Sequence, residues 1–283
     1  MPRPWIPSPI VQASFALHGA AALGVALIPE YWHWALGALA TDHGVLTAAG
    51  LLPRSRLLGP NHIRLSPSAG PVVALTIDDG PDPDATPQVL DLLEAAGARA
   101  SFFCIGRRAR QYPELCREIA ARGHHVENHG DSHSKAFPLF GFGQMKADIA
   151  AAQSTLTQLT GRPPRFFRPT AGLRNPFLDP VLHQLDLELA SWTRRAYDTQ
   201  EGNPARVFQR LTADLGAGDI LLLHDGHGAL APDGRPVILS VLPRLLEHLN
   251  QQGLRTARLA DACCPFSLPL THEPEDLPQT PAR

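Results

Sequence analysis

Six residues of this chain have the types and spacing to do chemistry together: Asp78 and Asp79, His129 and His133, Arg168, and His224. The two adjacent carboxylates close the run Val72 to Ile77 and are followed by Gly80-Pro81. Neighbouring residues on a strand point to opposite sides, so the two acids are suited to different tasks. The same tetrapeptide also reads as an ordinary turn, because Asp, Gly and Pro are turn residues. His129 and His133, in His-Gly-Asp-Ser-His, are four apart, a spacing that predicts both imidazoles on one face of a helical turn. With one carboxylate they would form a two-histidine, one-carboxylate metal site with positions open to water and substrate. Arg168 arrives after Phe166-Phe167 and before Pro169, and a guanidinium there can hold a carboxylate with two parallel hydrogen bonds. His224 ends the apolar run Leu221 to Leu223. Between these lie Trp192 and, six residues on, Asp198, a candidate orienting acid.

What positions them is an alternation of strand-like and helix-like stretches. Apolar, β-branched runs near 72–77, 100–105, 124–128, 165–168, 187–192, 219–224 and 254–257 read as strands, the first apolar on both faces as in a buried parallel sheet. Helical patterns lie near 86–96, 113–122, 142–160, 176–185, 204–215 and 237–251. Leu90, Leu93 and Ala96 line one face of the first, and Val241, Leu245, Leu246 and Leu249 one face of the last. Such alternation predicts a parallel sheet covered by helices, either an irregular barrel or an open doubly wound sheet. In α/β folds the C-terminal strand ends carry the site, which is where all four constellations fall.

The chain of 283 residues is long enough for one large α/β domain or two smaller ones. A formal charge of −2 and the lack of a Lys/Arg-rich run argue against nucleic acid as partner. Cys104, Cys116, Cys263 and Cys264 follow no zinc-ligand spacing, and the adjacent last two suit a disulfide poorly, so all four read as free thiols. Histidine is abundant, at 13, with several between residues 124 and 133.

Residues 1–52 read as an apolar, membrane-anchoring region. The stretch 10–28 is rich in Ala and Leu and long enough for one bilayer crossing. A second, 31–52, opens with Tyr31, Trp32 and Trp34, which suit an interface, but carries Asp42 and His43 near its middle. A mid-membrane Asp costs about 2.5 to 3.5 kcal/mol. If both cross a bacterial-type inner membrane, Arg3 and the pair Arg54 and Arg56 put both flanks and the catalytic domain in the cytoplasm; if only the first crosses, the domain is periplasmic. A signal peptide cleaved near Ala38-Leu39-Ala40 and a pair of buried helices are further readings. Residues 53–71, rich in Pro, Arg, Ser and Gly, read as a linker, and 263–283 as a flexible Pro-rich tail.

From about residue 72 to 262 the chain resembles the polysaccharide deacetylases of the NodB-homology type, the family 4 carbohydrate esterases, on the strength of five motifs in order. The resemblance implies an irregular (β/α)7 barrel, preceded here by one or two apolar helices. It implies Asp78 as general base, and Asp79, His129 and His133 as ligands of one divalent metal, zinc first, with cobalt or another divalent ion also suited. It implies Arg168 as the brace of the base, Leu222 as a wall of the acyl-methyl pocket, His224 as general acid, and Asp198 as the acid that steers it. Ala171 would offer a backbone N–H to an oxyanion, and Trp192 would line the substrate site. Two departures stand out: Gly130 replaces a Ser or Thr whose hydroxyl helps to fix the histidine loop, and Pro169-Thr170-Ala171-Gly172 lacks an aromatic ring, which changes the groove wall. The implied activity is metal-dependent hydrolysis of an N-acyl group, most simply N-acetyl, from an amino sugar in a glycan or a lipid-linked saccharide. N-formyl removal or cyclic-amide hydrolysis would suit the same fold, and a membrane-associated scaffold without turnover is the reading of another class.

Overall fold

The computed structural model describes residues 4–263. Its strands are β1 (Val72–Asp78), β2 (Ser101–Cys104), β3 (His125–Asn128), β4 (Phe166–Phe167), β5 (Glu188–Leu189), β6 (Arg194–Arg195), β7 (Ile220–His224) and β8 (Arg255–Ala257). The helices are α1 (Pro9–Leu27), α2 (Trp32–Leu51), α3 (Thr86–Ala95), α4 (Gly106–Gln111), α5 (Pro113–Ala121), α6 (Phe142–Thr160), α7 (Leu178–Gln184), α8 (Pro204–Thr212), α9 (Val237–Gln251) and α10 (Leu259–Ala262). The strands pair in parallel in the order β5-β4-β3-β2-β1-β7-β6, and β8 flanks the N-terminal half of β1. The sheet is the α/β half-barrel expected above, curved around β1, and not an open doubly wound sheet.

Every residue of β1 is buried, because it is covered on both faces. Val73, Leu75 and Ile77 face outward into a core with Leu90 and Leu93 of α3 and Val241, Leu245 and Leu249 of α9. Val72 and Ala74 face inward, into a second core with Phe103, Phe166, Trp192 and Leu222. The two-residue period then sends Thr76 and Asp78 inward as well. Ala96, expected on the buried face of α3, lies past that helix's end and is exposed, and Val89 takes its place. Cys104 and Cys116 are free thiols; Cys264 and the rest of the expected tail lie outside the described residues.

Residues 53–71, expected as a linker, are bound to the barrel. Leu58, Asn61 and Leu65 are buried. The Asn61 amide donates to the carbonyls of Pro53 and Ser55, His62 bridges Ala190, and Arg64 lies 2.9 Å from buried Asp219. The Pro/Gly/Ser composition hid this, since it signals turns without saying what the intervening Leu and Asn side chains bury against.

Helices α1 and α2 form an antiparallel hairpin, each about 30 Å long at 1.5 Å per residue. Its base packs on the barrel through a small core of Val11, Leu46, Ala49 and Leu58, and Arg174 N–H donates to the Gly50 carbonyl. Gly50 is needed there, because a Cβ would lie 2.1 Å from the Arg174 oxygen. The far end carries exposed Tyr31, Trp32 and Trp34. Among the described helices α1 is long and apolar enough to cross a membrane, with a mean hydropathy of 1.6. Within this chain α1 is not a buried core helix, since only 11% of that window is buried.

Candidate metal and acid–base centre

The register of the sheet sets the site. Asp78 ends β1 level with His224 at the end of β7 and Phe103 of β2. His129 follows β3 and Arg168 follows β4, where Asn128 pairs with Phe167. Four strand ends thus deliver four polar side chains to one rim.

Asp78 is buried, and its Oδ1 accepts a 2.6 Å bond from Arg168 Nη1. Arg168 is 1% exposed, so its donors must be satisfied from within. Its other bonds go to Thr76 Oγ1 and to the carbonyls of Ala190 and Ser191, and the guanidinium lies 4.0 Å above the Phe103 ring. Fixed this firmly, the arginine leaves Asp78 Oδ2 facing the centre, 3.8 Å from His129 Nε2.

Asp79 leaves the strand with φ 76° and turns its carboxylate away from Asp78. Its Oδ1 lies 3.1 Å from His129 Nε2 and 3.0 Å from His133 Nε2. Burial alone would raise the Asp79 carboxyl, but His129, His133 and His227 outweigh it and hold it well below the usual carboxylate range. Burial likewise pulls His129 down, while Asp78 and Asp79 hold it above its ordinary value. The negative charge that does so is also the charge that attracts a divalent ion.

The three residues fit such an ion. Their donor atoms lie within 4.8 Å of one another. Asp79 Oδ1 is buried, yet no N–H or O–H among the described residues is aimed at it. His129 Nδ1 lies 2.7 Å from the Arg168 carbonyl, which fixes the proton on that nitrogen and turns the Nε2 lone pair toward Asp79. Two imidazoles and a carboxylate suit zinc and its neighbours.

The histidines do not share a helical turn. Residues 129–136 form a loop in which Gly130 and His133 have φ of 75° and 48°, a left-handed path that a helix cannot follow. Asp148 of α6 accepts from the N–H groups of Asp131 and Ser132, and Asn128 Oδ1 accepts from that of Gly130. These bonds hold the loop without the hydroxyl that Gly130 lacks. A Cβ at this residue would also lie 2.8 Å from the Asp148 carboxylate.

His224 lies across the rim from Asp79. Its Nδ1 is 2.8 Å from Asp198 Oδ1, and its backbone N–H donates to Asp198 Oδ2. Burial alone would lower its pKa, but Asp198, with Asp78 and Asp79 behind it, pushes it up to about 9. The imidazole is therefore charged at neutral pH, and its Nε2 carries a proton to give. Leu222 and Trp192 share the inner core beside it, and the Trp192 ring packs on Gly172, where a Cβ would lie 2.5 Å away. Ala171 is exposed in the adjacent turn with φ 55°.

Two residues of the rim escape sequence reasoning. His227 Nδ1 lies 3.2 Å from Asp79 Oδ2, and its half-exposed ring stacks on His133. Buried Asp225 accepts from Thr86 Oγ1, and burial pushes its carboxyl up to about 7. The signal was in His224-Asp225-Gly226-His227, but only φ 53° at His227 turns its ring toward Asp79. Conversely, His124 and His125 stay out of the site; burial lowers both to about 4, and the His124 ring accepts from Ala100 N–H.

Comparison with known proteins agrees with this geometry. A family model described as polysaccharide deacetylase matches residues 66–190. A chitooligosaccharide deacetylase of Azorhizobium caulinodans is 32% identical over 191 residues, 64% of this chain and 89% of the relative. A peptidoglycan-N-acetylglucosamine deacetylase of Bacillus cereus is 29% identical over 197 residues, 69% of this chain and 89% of the relative. Among solved structures, a family 4 carbohydrate esterase from Streptomyces lividans in complex with acetate superposes with a TM-score of 0.60 at 29% identity, covering 66% of this chain and 92% of that one.

Proposed function

Since the chain belongs to the polysaccharide deacetylase family, hydrolases acting on the amide bonds of N-acetyl amino sugars, we propose that it removes an N-acetyl group from an amino sugar in a glycan or a lipid-linked saccharide. The observation that carries this is a carboxylate and an imidazole held level on neighbouring strands, each by a partner of opposite charge: Asp78 by Arg168 and His224 by Asp198.

Asp78 accepts the proton of the attacking water through Oδ2, the oxygen that Arg168 leaves free. Arg168 keeps that carboxylate aimed. His224 donates its Nε2 proton to the leaving amine, which would otherwise depart as a poorly stabilised anion. Asp198 holds the ring in the tautomer that makes this donation. Asp79, His129 and His133 would hold a divalent ion, zinc by the chemistry of the donors, that supplies Lewis acidity for the water and the amide oxygen. Leu222 and Trp192 would give the acyl methyl an apolar wall, and the backbone N–H of Ala171 would donate to the oxyanion.

The catalytic unit includes residues 53–71, whose bonds to Ser191, Thr193, Asp219 and Ala190 of the barrel support treating 53–262 as one folded body with 1–52 as its anchor. The apolar exterior of α1 supports membrane attachment. Both hairpin ends lie against the barrel, so a hairpin crossing leaves N-terminus and domain on the same side.

The test is metal content and amine release from N-acetylchitooligosaccharides by the detergent-purified full chain, with Asp78→Asn and His133→Ala. The expected result is about one bound metal in wild type and Asp78→Asn, amine release by wild type alone, and loss of both in His133→Ala. No metal after reconstitution, or release by Asp78→Asn at the wild-type rate, would overturn the reading and favour a scaffold.

A further inference from the structure

A cavity of about 610 Å³ lies at the base of the helical hairpin, where it meets Trp192 and β6. Its lining includes Leu52, Arg54 and Arg56 from the segment that follows α2, and Trp192, Arg195 and Tyr197 from the barrel. No acidic side chain lines it. Among the described residues none of the three arginines has a carboxylate within ion-pairing distance, whereas Arg64, Arg108, Arg162, Arg168 and Arg194 all do.

The arginines are held with their charge unspent. Arg54 Nη1 donates to the Thr193 carbonyl and Arg56 Nε to that of Asn61, leaving most of each fork free. The Arg195 guanidinium lies 5.2 Å from the Trp192 ring and 5.0 Å from the Tyr197 ring, and its buried Nε has no acceptor. A buried guanidinium N–H left without a partner is costly unless a ligand completes it. Like charges gathered in one concavity also repel each other, so an anion gains from all three at once.

The position says what the anion is attached to. Trp192 lies 5.9 Å from the Arg168 guanidinium, which braces Asp78, and Tyr197 directly precedes Asp198, which holds His224. A group in the cavity thus lies against the two residues that adjoin the brace of the base and the partner of the acid. Leu52 and Leu57, which also line the cavity, are exposed at the hairpin base, as is Leu51.

We propose that this cavity is an anion subsite that receives a phosphate carried by the amino-sugar substrate, so that the enzyme prefers a phosphate-linked N-acetyl amino sugar to a neutral one. Three guanidinium forks match the several oxygens of a phosphate better than the two of a carboxylate. The proposal rests on the amide-hydrolase reading, but its test does not require turnover.

Full-length Asp78→Asn in detergent is titrated calorimetrically with N-acetylglucosamine 1-phosphate and with N-acetylglucosamine. The phosphate form should bind at least about tenfold more tightly, the yield of one or more charge-assisted hydrogen bonds. Adding Arg54→Gln, or separately Arg195→Gln, should remove most of that preference while changing neutral-sugar affinity far less. Polyprenyl-phosphate-linked N-acetylglucosamine then separates the sources: tighter binding than the free 1-phosphate assigns the subsite to a lipid headgroup, and equal binding to a soluble sugar phosphate. Equal affinity for phosphorylated and neutral sugar, or a preference that survives both arginine substitutions, overturns the proposal. If wild type releases amine from none of these compounds while arginine-dependent phosphate binding persists, the hydrolase reading fails and the anion subsite stands.

Discussion

The molecule carries the same donor set twice. Asp79, His129 and His133 at the barrel rim, and His18, Asp42 and His43 between the hairpin helices, each bring two imidazoles and a carboxylate within 4.8 Å. The rim set is buried or nearly so, and each member is held from behind: His129 by the Arg168 carbonyl, Asp79 by His227, and the loop of His133 by Asp148. In the hairpin, Ser14 holds both Asp42 and the His18 ring, but nothing described holds His43 except His18 itself, whose Nε2 lies 3.3 Å away. His18 is partly exposed and His43 exposed. Donor type and proximity are equal in the two places; fixation and burial within the protein are not. Donors that nothing holds keep their rotamer freedom, which an ion must overcome. The hairpin set is therefore best understood as a polar seam that joins two helices.

The comparison breaks most sharply at Arg168. Replacing it with Met strands the buried carboxylate of Asp78 and two carbonyls, and unfolding experiments should show a loss of about 3–5 kcal/mol. A loss under about 1 kcal/mol would mean that the rim is not held as described. His227→Ala removes the group behind Asp79 Oδ2 and should weaken zinc binding about 10–100-fold in a competition titration with a chelator, as outer partners of metal ligands do. Unchanged affinity would make His227 a bystander.

Asp198→Asn tests the acid. In the metal-free protein His224 titrates near 9, above its ordinary 6.5. The pair's contribution to stability is thus whole below about pH 6.5 and is lost as pH rises through about 9. NMR should find that Asp198→Asn moves this titration down, because burial then acts with less opposition, and the variant's stability deficit should shrink above pH 9. The smallest effect belongs to the hairpin. His43→Ala should leave bound metal per chain unchanged by mass spectrometry, and a fall from two ions to one would give the second cluster the standing of the first.

What is local was legible in the order of residue types. A strand apolar on both faces announces a covered sheet, as in Val72 to Ile77, and the break from apolar to polar at Asp78, His129, Arg168 and His224 marks strand ends whatever the strands pair with. The long helices were legible for the same reason, since a 3.6-residue period is written within one element. The resemblance assigned roles along that order.

Only the tertiary structure decided which side chains meet. Strands β6 and β4 have two residues each, and such strands exist through their neighbours rather than through their own pattern. The level placement of Asp78 and His224 is a property of register. The path of the histidine loop depends on backbone angles at Gly130 and His133 and on Asp148, a helix away. The segment 53–71 reads as a linker until its Leu and Asn side chains are seen against the barrel. Arg54 and Arg195 lie 141 positions apart in the chain and gain a common purpose only where the hairpin base meets β6. Contacts between distant residues form because packing fixes both partners at once, and no local pattern of residue types encodes that joint constraint.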